Sequence, residues 1–242
     1  MRLLLILTLL WNSFAAFQSA CDKSNVCPAA AGTTFTFVND GSCYAATTSC
    51  AVTYSPTNGN LVVADIECRD STASQNPTIT TDNGSSTWTN GITGGQQSGS
   101  YYNNEDYTLS AAGSPTTITG HCGAASVHTM VTVTEYHRTS GSWVLGGVTT
   151  HTFGTSTTAT SNSVTPTSSV PALIHGYFMN SGATTPVFTT ANSTVRVNQA
   201  ASDGSYLIGS GDQIVSSASG SYTASANLST SEPWQCWASW FK

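Results

Sequence analysis

Three kinds of residue in this chain have types and spacing that could do chemistry: alternating acids, scattered histidines and a C-terminal group of tryptophans. Asp65 and Glu67 alternate in Ala64-Asp-Ile-Glu-Cys68, and Glu135 lies in a second run of β-forming residues. Two carboxylates held about 5–9 Å apart are the machinery of a glycosidase, one giving a proton while the other attacks or activates water. Against this, successive side chains of a strand point to opposite faces, so Asp65, Glu67 and Arg69 line one solvated or loop-shielded face opposite Ala64, Ile66 and Cys68. The second reading is the simpler, and no catalytic residue is assigned. Serine catalysis lacks its Gly-x-Ser-x-Gly elbow. His121, His128, His137, His151 and His175 lack the paired spacing that presents ligands to zinc, so each is read as structural and no metal site is assigned.

The tryptophans stand in Pro233-Trp-Gln-Cys-Trp-Ala-Ser-Trp-Phe241. In a strand, Trp234, Cys236, Ala238 and Trp240 face one way, while Gln235, Trp237, Ser239 and Phe241 face the other. At least one set belongs to the core, because indole rings dominate packing. If the other is exposed, it forms an aromatic platform of the sort that stacks on sugars, so Trp237, Phe241, Trp234 and Trp240 are the candidate ligand-binding residues. Asp and Asn gather in Asp82-Asn83, Asn103-Asn104-Glu105-Asp106 and Asp203, and hard oxygen ligands of this kind bind calcium. No twelve-residue calcium loop accompanies them and acidic turns commonly serve their own backbone, so calcium is a weak candidate and no other cofactor is expected.

These residues need elements to hold them. Short runs of β-branched and aromatic residues recur between Gly, Asn, Asp, Pro and Ser clusters, the pattern of a sandwich or barrel. The clearest are Thr34 to Val38, Ala51 to Tyr54, Asn60 to Cys68, Val127 to His137, Val148 to Phe153, Ala172 to Met179 and Trp234 to Phe241. Asn39-Asp40-Gly41, Asn58-Gly59, Asp82-Asn83-Gly84, Asn90-Gly91, Ser140-Gly141 and Asp203-Gly204 supply tight-turn chemistry between them. Ser71 to Ser86 and Gly94 to Asp106 read as polar loops. No segment has helical periodicity. The expected fold is all-β, an antiparallel two-sheet β-sandwich of jelly-roll or immunoglobulin-like form, because antiparallel sheets with one apolar face must stack. Residues 30–242 form a single sandwich domain, preceded by a mature N-terminal segment, 21–29, and a signal peptide, 1–20.

The signal reading rests on Arg2, the apolar stretch Leu3 to Leu10 and the small residues from Ser13 to Ala20. No later stretch reaches 18 apolar residues, the length needed to span about 30 Å of hydrocarbon. Export suits the seven cysteines, which suggest disulfides rather than metal ligands. Cys27, Cys43, Cys50, Cys68, Cys122 and Cys236 are the disulfide candidates, and Cys43 with Cys50 is the favoured pair, since a short loop between two strands brings them together. Cys21 follows Ser19-Ala20 like the acceptor cysteine of a bacterial lipoprotein, although Gln18 replaces the aliphatic residue usual in such signals. Asn83, Asn192 and Asn227 each begin an Asn-x-Ser/Thr triplet, which matters in a host that glycosylates.

Only 7% of residues are charged, against roughly 25% in an ordinary soluble domain, and the net charge is −6 with six Lys and Arg. No basic stripe exists to meet phosphates, which excludes nucleic acid and anionic lipid as partners.

Several segments, in order, resemble an uncharacterised bacterial family of secreted β-sandwich domains: Gly59-Asn-Leu-Val-Val-Ala-Asp-Ile66, Thr81-Asp-Asn-Gly-Ser-Ser-Thr-Trp-Thr89, Val131-Thr-Val-Thr-Glu-Tyr136, and Asp212-Gln-Ile-Val-Ser-Ser-Ala-Ser-Gly-Ser-Tyr222 followed by Pro233-Trp234 and the final strand. The resemblance spans most of residues 30–242. It implies a jelly-roll or immunoglobulin-like sandwich with adhesive, binding or structural roles, and it carries no catalytic residue. The extra cysteines and the C-terminal tryptophans depart from the family's pattern. The expected function is therefore that of a secreted or cell-surface, non-catalytic binding, adhesion or structural protein. Its alternatives are a carbohydrate-binding module, a self-assembling filament or coat subunit and, last, a glycoside hydrolase. Expected partners are glycans or further copies of the chain.

Overall fold

The computed structural model describes residues 32–69, 77–82, 86–97, 101–123, 128–167, 171–182, 187–202, 204, 206–216 and 220–242, with the side chains of 93–97 left aside. The signal region, Cys21 and Cys27 lie outside these residues, as do Asn83 and Asp203. Thr33–Lys242 forms one compact unit. No helix occurs among the described residues, and none of them could therefore form a helix long and apolar enough to cross a membrane.

The strands, in chain order, are β1 (Phe35–Ala45), β2 (Ser49–Thr53), β3 (Leu61–Arg69), β4 (Thr78–Thr81), β5 (Thr89–Gln97), β6 (Tyr101–Thr108), β7 (Thr117–His121), β8 (His128–Arg138), β9 (Leu145–Val148), β10 (Thr152–Thr160), β11 (Ala172–Asn180), β12 (Thr189–Thr190), β13 (Thr194–Ala200), β14 (Leu207–Val215) and β15 (Ser225–Phe241). They make antiparallel sheets. A five-stranded sheet runs β1-β8-β3-β6-β5, and a seven-stranded sheet runs β10-β15-β11-β14-β13, with β9 and β12 also on β15. These two face each other and form the expected sandwich. A third sheet, β2-β7-β4, covers the far side of the five-stranded one.

The extra layer explains why the central strands do not alternate between apolar and polar. Leu61 and Val63 of β3 pack with Tyr136, Leu173 and Phe241 between the main sheets, whereas Val62, Ala64, Ile66 and Cys68 pack with Val52, Ile79 and Ile118 under the small sheet. With both faces covered, all of β3 but Arg69 is buried. Burying each large aliphatic or aromatic side chain contributes about 1.5–3 kcal/mol, and ordering the chain offsets most of the sum. Two disulfides reinforce the contact between these layers: Cys43–Cys50 links β1 to β2, and Cys68–Cys122 links β3 to the end of β7. The Cys43–Cys50 pairing is the expected one. Cys236, by contrast, is a buried free thiol rather than a bridge, packed with Trp234 and Ala238 on the outer face of the seven-stranded sheet.

The polar run Gly94 to Asp106 is not a loop. Most of it forms β5 and β6, and Asn103 to Asp106 lie in a buried central strand rather than in a turn. Likewise, Val148 to Phe153 divides between the end of β9 and the start of β10. Asn58-Gly59 and Ser140-Gly141 do make turns, with Gly59 and Gly141 at φ of 87° and 79°. Asn39-Asp40-Gly41 and Asn90-Gly91 instead lie within strands beside breaks in register, and neither Gly41 nor Gly91 has a positive φ.

Trp234 and Trp240 are accommodated by glycines. Gly154 pairs with Trp234 across β10 and β15, Gly147 pairs with Trp240 across β9 and β15, and a Cβ on Gly146 or Gly154 would meet an indole ring. Replacing Gly154 with Val should therefore displace the Trp234 ring and cost about 1–3 kcal/mol, read as a lower urea midpoint at unchanged m-value. The Cys236 thiol, its pKa raised by burial, should resist maleimide in the folded protein and react in denaturant, as scored by peptide mass mapping. Labelling at equal rates in both states would contradict the placement of β15.

Candidate functional site

Strand parity decides which polar groups meet. On β3, Asp65 and Glu67 share the face of Leu61 and Val63, so they point between the main sheets rather than towards water or a shielding loop. Glu105 sits opposite Asp65 across β3 and β6, and Asn103 sits opposite Glu67. From the facing sheet, register aligns Asp212 of β14, His175 of β11 and Ser239 of β15 in one row. The next row consists of Ser210, Tyr177 and Trp237. Asp65, Glu67, Glu105 and His175 are all 0% exposed.

His175 is the hub of this layer. Its Nδ1 lies 3.2 Å from Glu105 Oε2, and its Nε2 lies 3.6 Å from Asp65 Oδ2 and 3.3 Å from Thr134 Oγ1. Glu105 Oε2 also accepts from Ser239 Oγ at 3.1 Å and from Trp237 Nε1 at 3.3 Å. Ser210 donates to Asp65 Oδ2 at 2.5 Å and also bonds Thr132. The remaining oxygens are bare: Asp65 Oδ1, Glu105 Oε1 and both oxygens of Glu67 have no hydrogen-bond partner. An unpaired buried acceptor costs about 1–3 kcal/mol, more when charged.

Protonation answers part of this cost. Burial drives the Asp65 carboxyl up to about 7, the Glu105 charge pushing the same way and His175 opposing. Burial also drives Glu67 well above the usual carboxylate range, which favours its neutral form. For His175, burial works against the charged ring, but Asp65 and Glu105 outweigh it and the pKa rises. The result is an imidazole whose protonated form is favoured, held between two acids. Such a group can exchange protons with its neighbours, but none of the three is open to a substrate.

Glu135 does not belong to this site. It lies on the opposite face of β8, where it accepts from Tyr54 Oη at 2.8 Å, from the Thr57 backbone N–H at 2.9 Å and from Asn60 Nδ2 at 2.5 Å. The five-stranded sheet thus separates Glu135 from Asp65 and Glu67, and Glu135 forms no carboxylate pair with either. Asp106 is similarly occupied, accepting from Ile79 N–H, Asn90 and Asn104, so it anchors β4 rather than forming part of a calcium-binding turn.

The aromatic platform is also corrected. Trp237 and Phe241 are 0% exposed and Trp234 and Trp240 are 7% and 5% exposed, so both faces of β15 are core. Trp237 stacks on Tyr177 with ring centroids 3.9 Å apart and an interplanar angle of 18°. Trp234 Nε1 donates to Ser156 Oγ at 2.9 Å. Among the other histidines, His121 bonds Thr80, His128 bonds Tyr206, His137 bonds Asn60, and His151 packs edge-on against Trp237.

The sequence did not bring Glu105 and His175 together with Asp65. Glu105 sits in a run whose polarity imitates a turn, and His175 is a lone histidine in an apolar strand. The only available signal was the pairing of Asp65 and Glu67 with Leu61 and Val63 on one face.

In comparisons with known proteins, no family model, no curated protein and no solved structure matches the chain.

Because folded Asp65 keeps its proton to about 7 whereas an unfolded aspartate releases it near 3.8, the fold binds more protons across that window. Its contribution to stability is therefore present at low pH and lost as pH rises through the window. His175 acts in the same direction above 6.5, while His151, lowered to about 4 by burial, acts oppositely between about 4 and 6.5. In chelator, the change in melting temperature between about pH 4.5 and about pH 7.5 should shrink in Asp65→Asn relative to the parent. An identical profile in both would show that Asp65 is not a buried acid of this kind.

Proposed function

We propose that the chain is a secreted or cell-surface protein without catalytic activity, its sandwich serving binding, adhesion or a structural role. The supporting observation is where its reactive groups lie: Asp65, Glu105 and His175 are sealed between two sheets, and so are the C-terminal aromatics. Catalysis needs reacting atoms within reach of substrate; recognition or assembly needs only an outer surface. Here that surface is nearly free of charge. The two disulfides fit an oxidising compartment, in keeping with the signal-like N-terminus. The resemblance to exported bacterial sandwich domains favours the same reading. Hydrolysis of any glycan in a polysaccharide panel, abolished by Glu105→Gln in a folded variant, would overturn it.

Within this reading, β10 favours self-assembly. It is an edge strand that pairs with β15 on one side and with no described strand on the other. Its sequence, Thr152-Phe-Gly-Thr-Ser-Thr-Thr-Ala-Thr160, carries no charge and no proline, the usual protections of an exposed edge, and Phe153 is 49% exposed. A second copy adding its own edge strand would satisfy the free backbone groups. Sedimentation and electron microscopy should show oligomers or filaments that revert to monomers in Thr155→Lys and Thr157→Lys. A protein that stays monomeric over a wide concentration range would eliminate assembly.

A further inference from the structure

We propose that Asp65, Glu105 and His175 bind one divalent transition-metal ion between the five-stranded and seven-stranded sheets. One oxygen from each carboxylate and one imidazole nitrogen lie within 4.8 Å of one another. All three residues are wholly buried. A mixed set of one imidazole and two carboxylates suits first-row ions such as zinc, manganese or cobalt, whereas calcium and magnesium take oxygen alone.

The cluster alone would be a weak reason. The stronger one is its contrast with the other buried acids, apart from Glu67, whose two oxygens are also bare. Glu135 takes three donors, Asp106 takes three, and Asp212 is held bidentately by Arg196. Glu232 accepts from Asn180 and Thr230 on separate oxygens. At Asp65 and Glu105, every donor converges on Oδ2 or Oε2, and the second oxygen of each carboxylate has no hydrogen-bond partner. The imidazolium cannot correct this, because its two N–H groups are already directed at those same occupied oxygens and at Thr134. A divalent cation would neutralise the two carboxylates that meet at His175 in a dry interior.

The ligands also explain what such an ion would do. Asp65 and Glu105 come from adjacent strands of one sheet, and His175 comes from the facing sheet, so one ion would tie the two halves of the sandwich together. Enclosed on all sides, it would act as a structural ion rather than a catalytic one.

The test uses the purified chain, unfolded with its disulfides intact in denaturant and chelator, desalted, and refolded with zinc chloride, cobalt chloride or no metal. We expect roughly one zinc retained per chain, a higher melting temperature, and cobalt absorption bands characteristic of nitrogen and oxygen ligands. His175→Gln should weaken zinc retention by more than about tenfold and abolish the cobalt bands. Asp65→Asn, which preserves shape, provides the same reading if His175→Gln does not fold. His121→Gln, a change at a histidine on β7 outside the cluster, should bind as the parent does. A refolded parent that retains neither metal would overturn the proposal. So would zinc bound equally by the parent, His175→Gln and Asp65→Asn.

Discussion

A sheet covered on both faces has no solvated side on which to put its polar residues, and this governs the molecule. The five-stranded sheet lies between the seven-stranded sheet and the small β2-β7-β4 sheet. Strands β3, β6 and β8 therefore bury nearly every residue. Any acid, amide or hydroxyl on them must find a partner inside the protein or lose its charge.

The two faces of that middle sheet solve the problem differently. Towards the small sheet, carboxylates are used as anchors: Glu135 gathers Tyr54, Thr57 and Asn60, and Asp106 gathers Ile79, Asn90 and Asn104. Each ties a loop or edge strand to the central layer through donors that a neutral residue could not attract as strongly. Towards the seven-stranded sheet, the acids cross the main interface. Asp65 and Glu105 meet His175, Ser210, Ser239 and Trp237, all from the opposite layer. The polar row sits between two apolar clusters, one around Phe241 and Leu173 and the other around Trp237 and Tyr206. Apolar packing supplies the bulk of the stabilisation, and the polar row fixes the register of one sheet on the other, because a shift by one residue would strand its charges.

Burial separates the functional readings. The residues with catalytic and stacking chemistry are the ones most completely enclosed, whereas edge strand β10 is rich in threonine. Edge strand β10 alternates between half-buried and exposed side chains and carries no charge to discourage pairing. The chemistry inside the sandwich thus belongs to its construction, and the contact proposed with other molecules falls to its rim.

Composition, strand periodicity and the absence of helical pattern determined the all-β class, the strand alternation that divides Trp234 from Trp237, and the Cys43–Cys50 pairing, since these depend on neighbours close in sequence. Local pattern could not say that a third layer covers the middle sheet, so the face bearing Asp65 and Glu67 read as shielded only by loops when it is the main interior. Nor could it recover β6, whose Tyr-Tyr-Asn-Asn-Glu-Asp-Tyr-Thr run looks like a turn because its polar side chains find their partners at distant positions. The meeting of Asp65, Glu105 and His175, up to 110 residues apart in the chain, was decided by tertiary structure alone. Side-chain alternation sets which way a residue points, but only the stacking of sheets determines what it meets there.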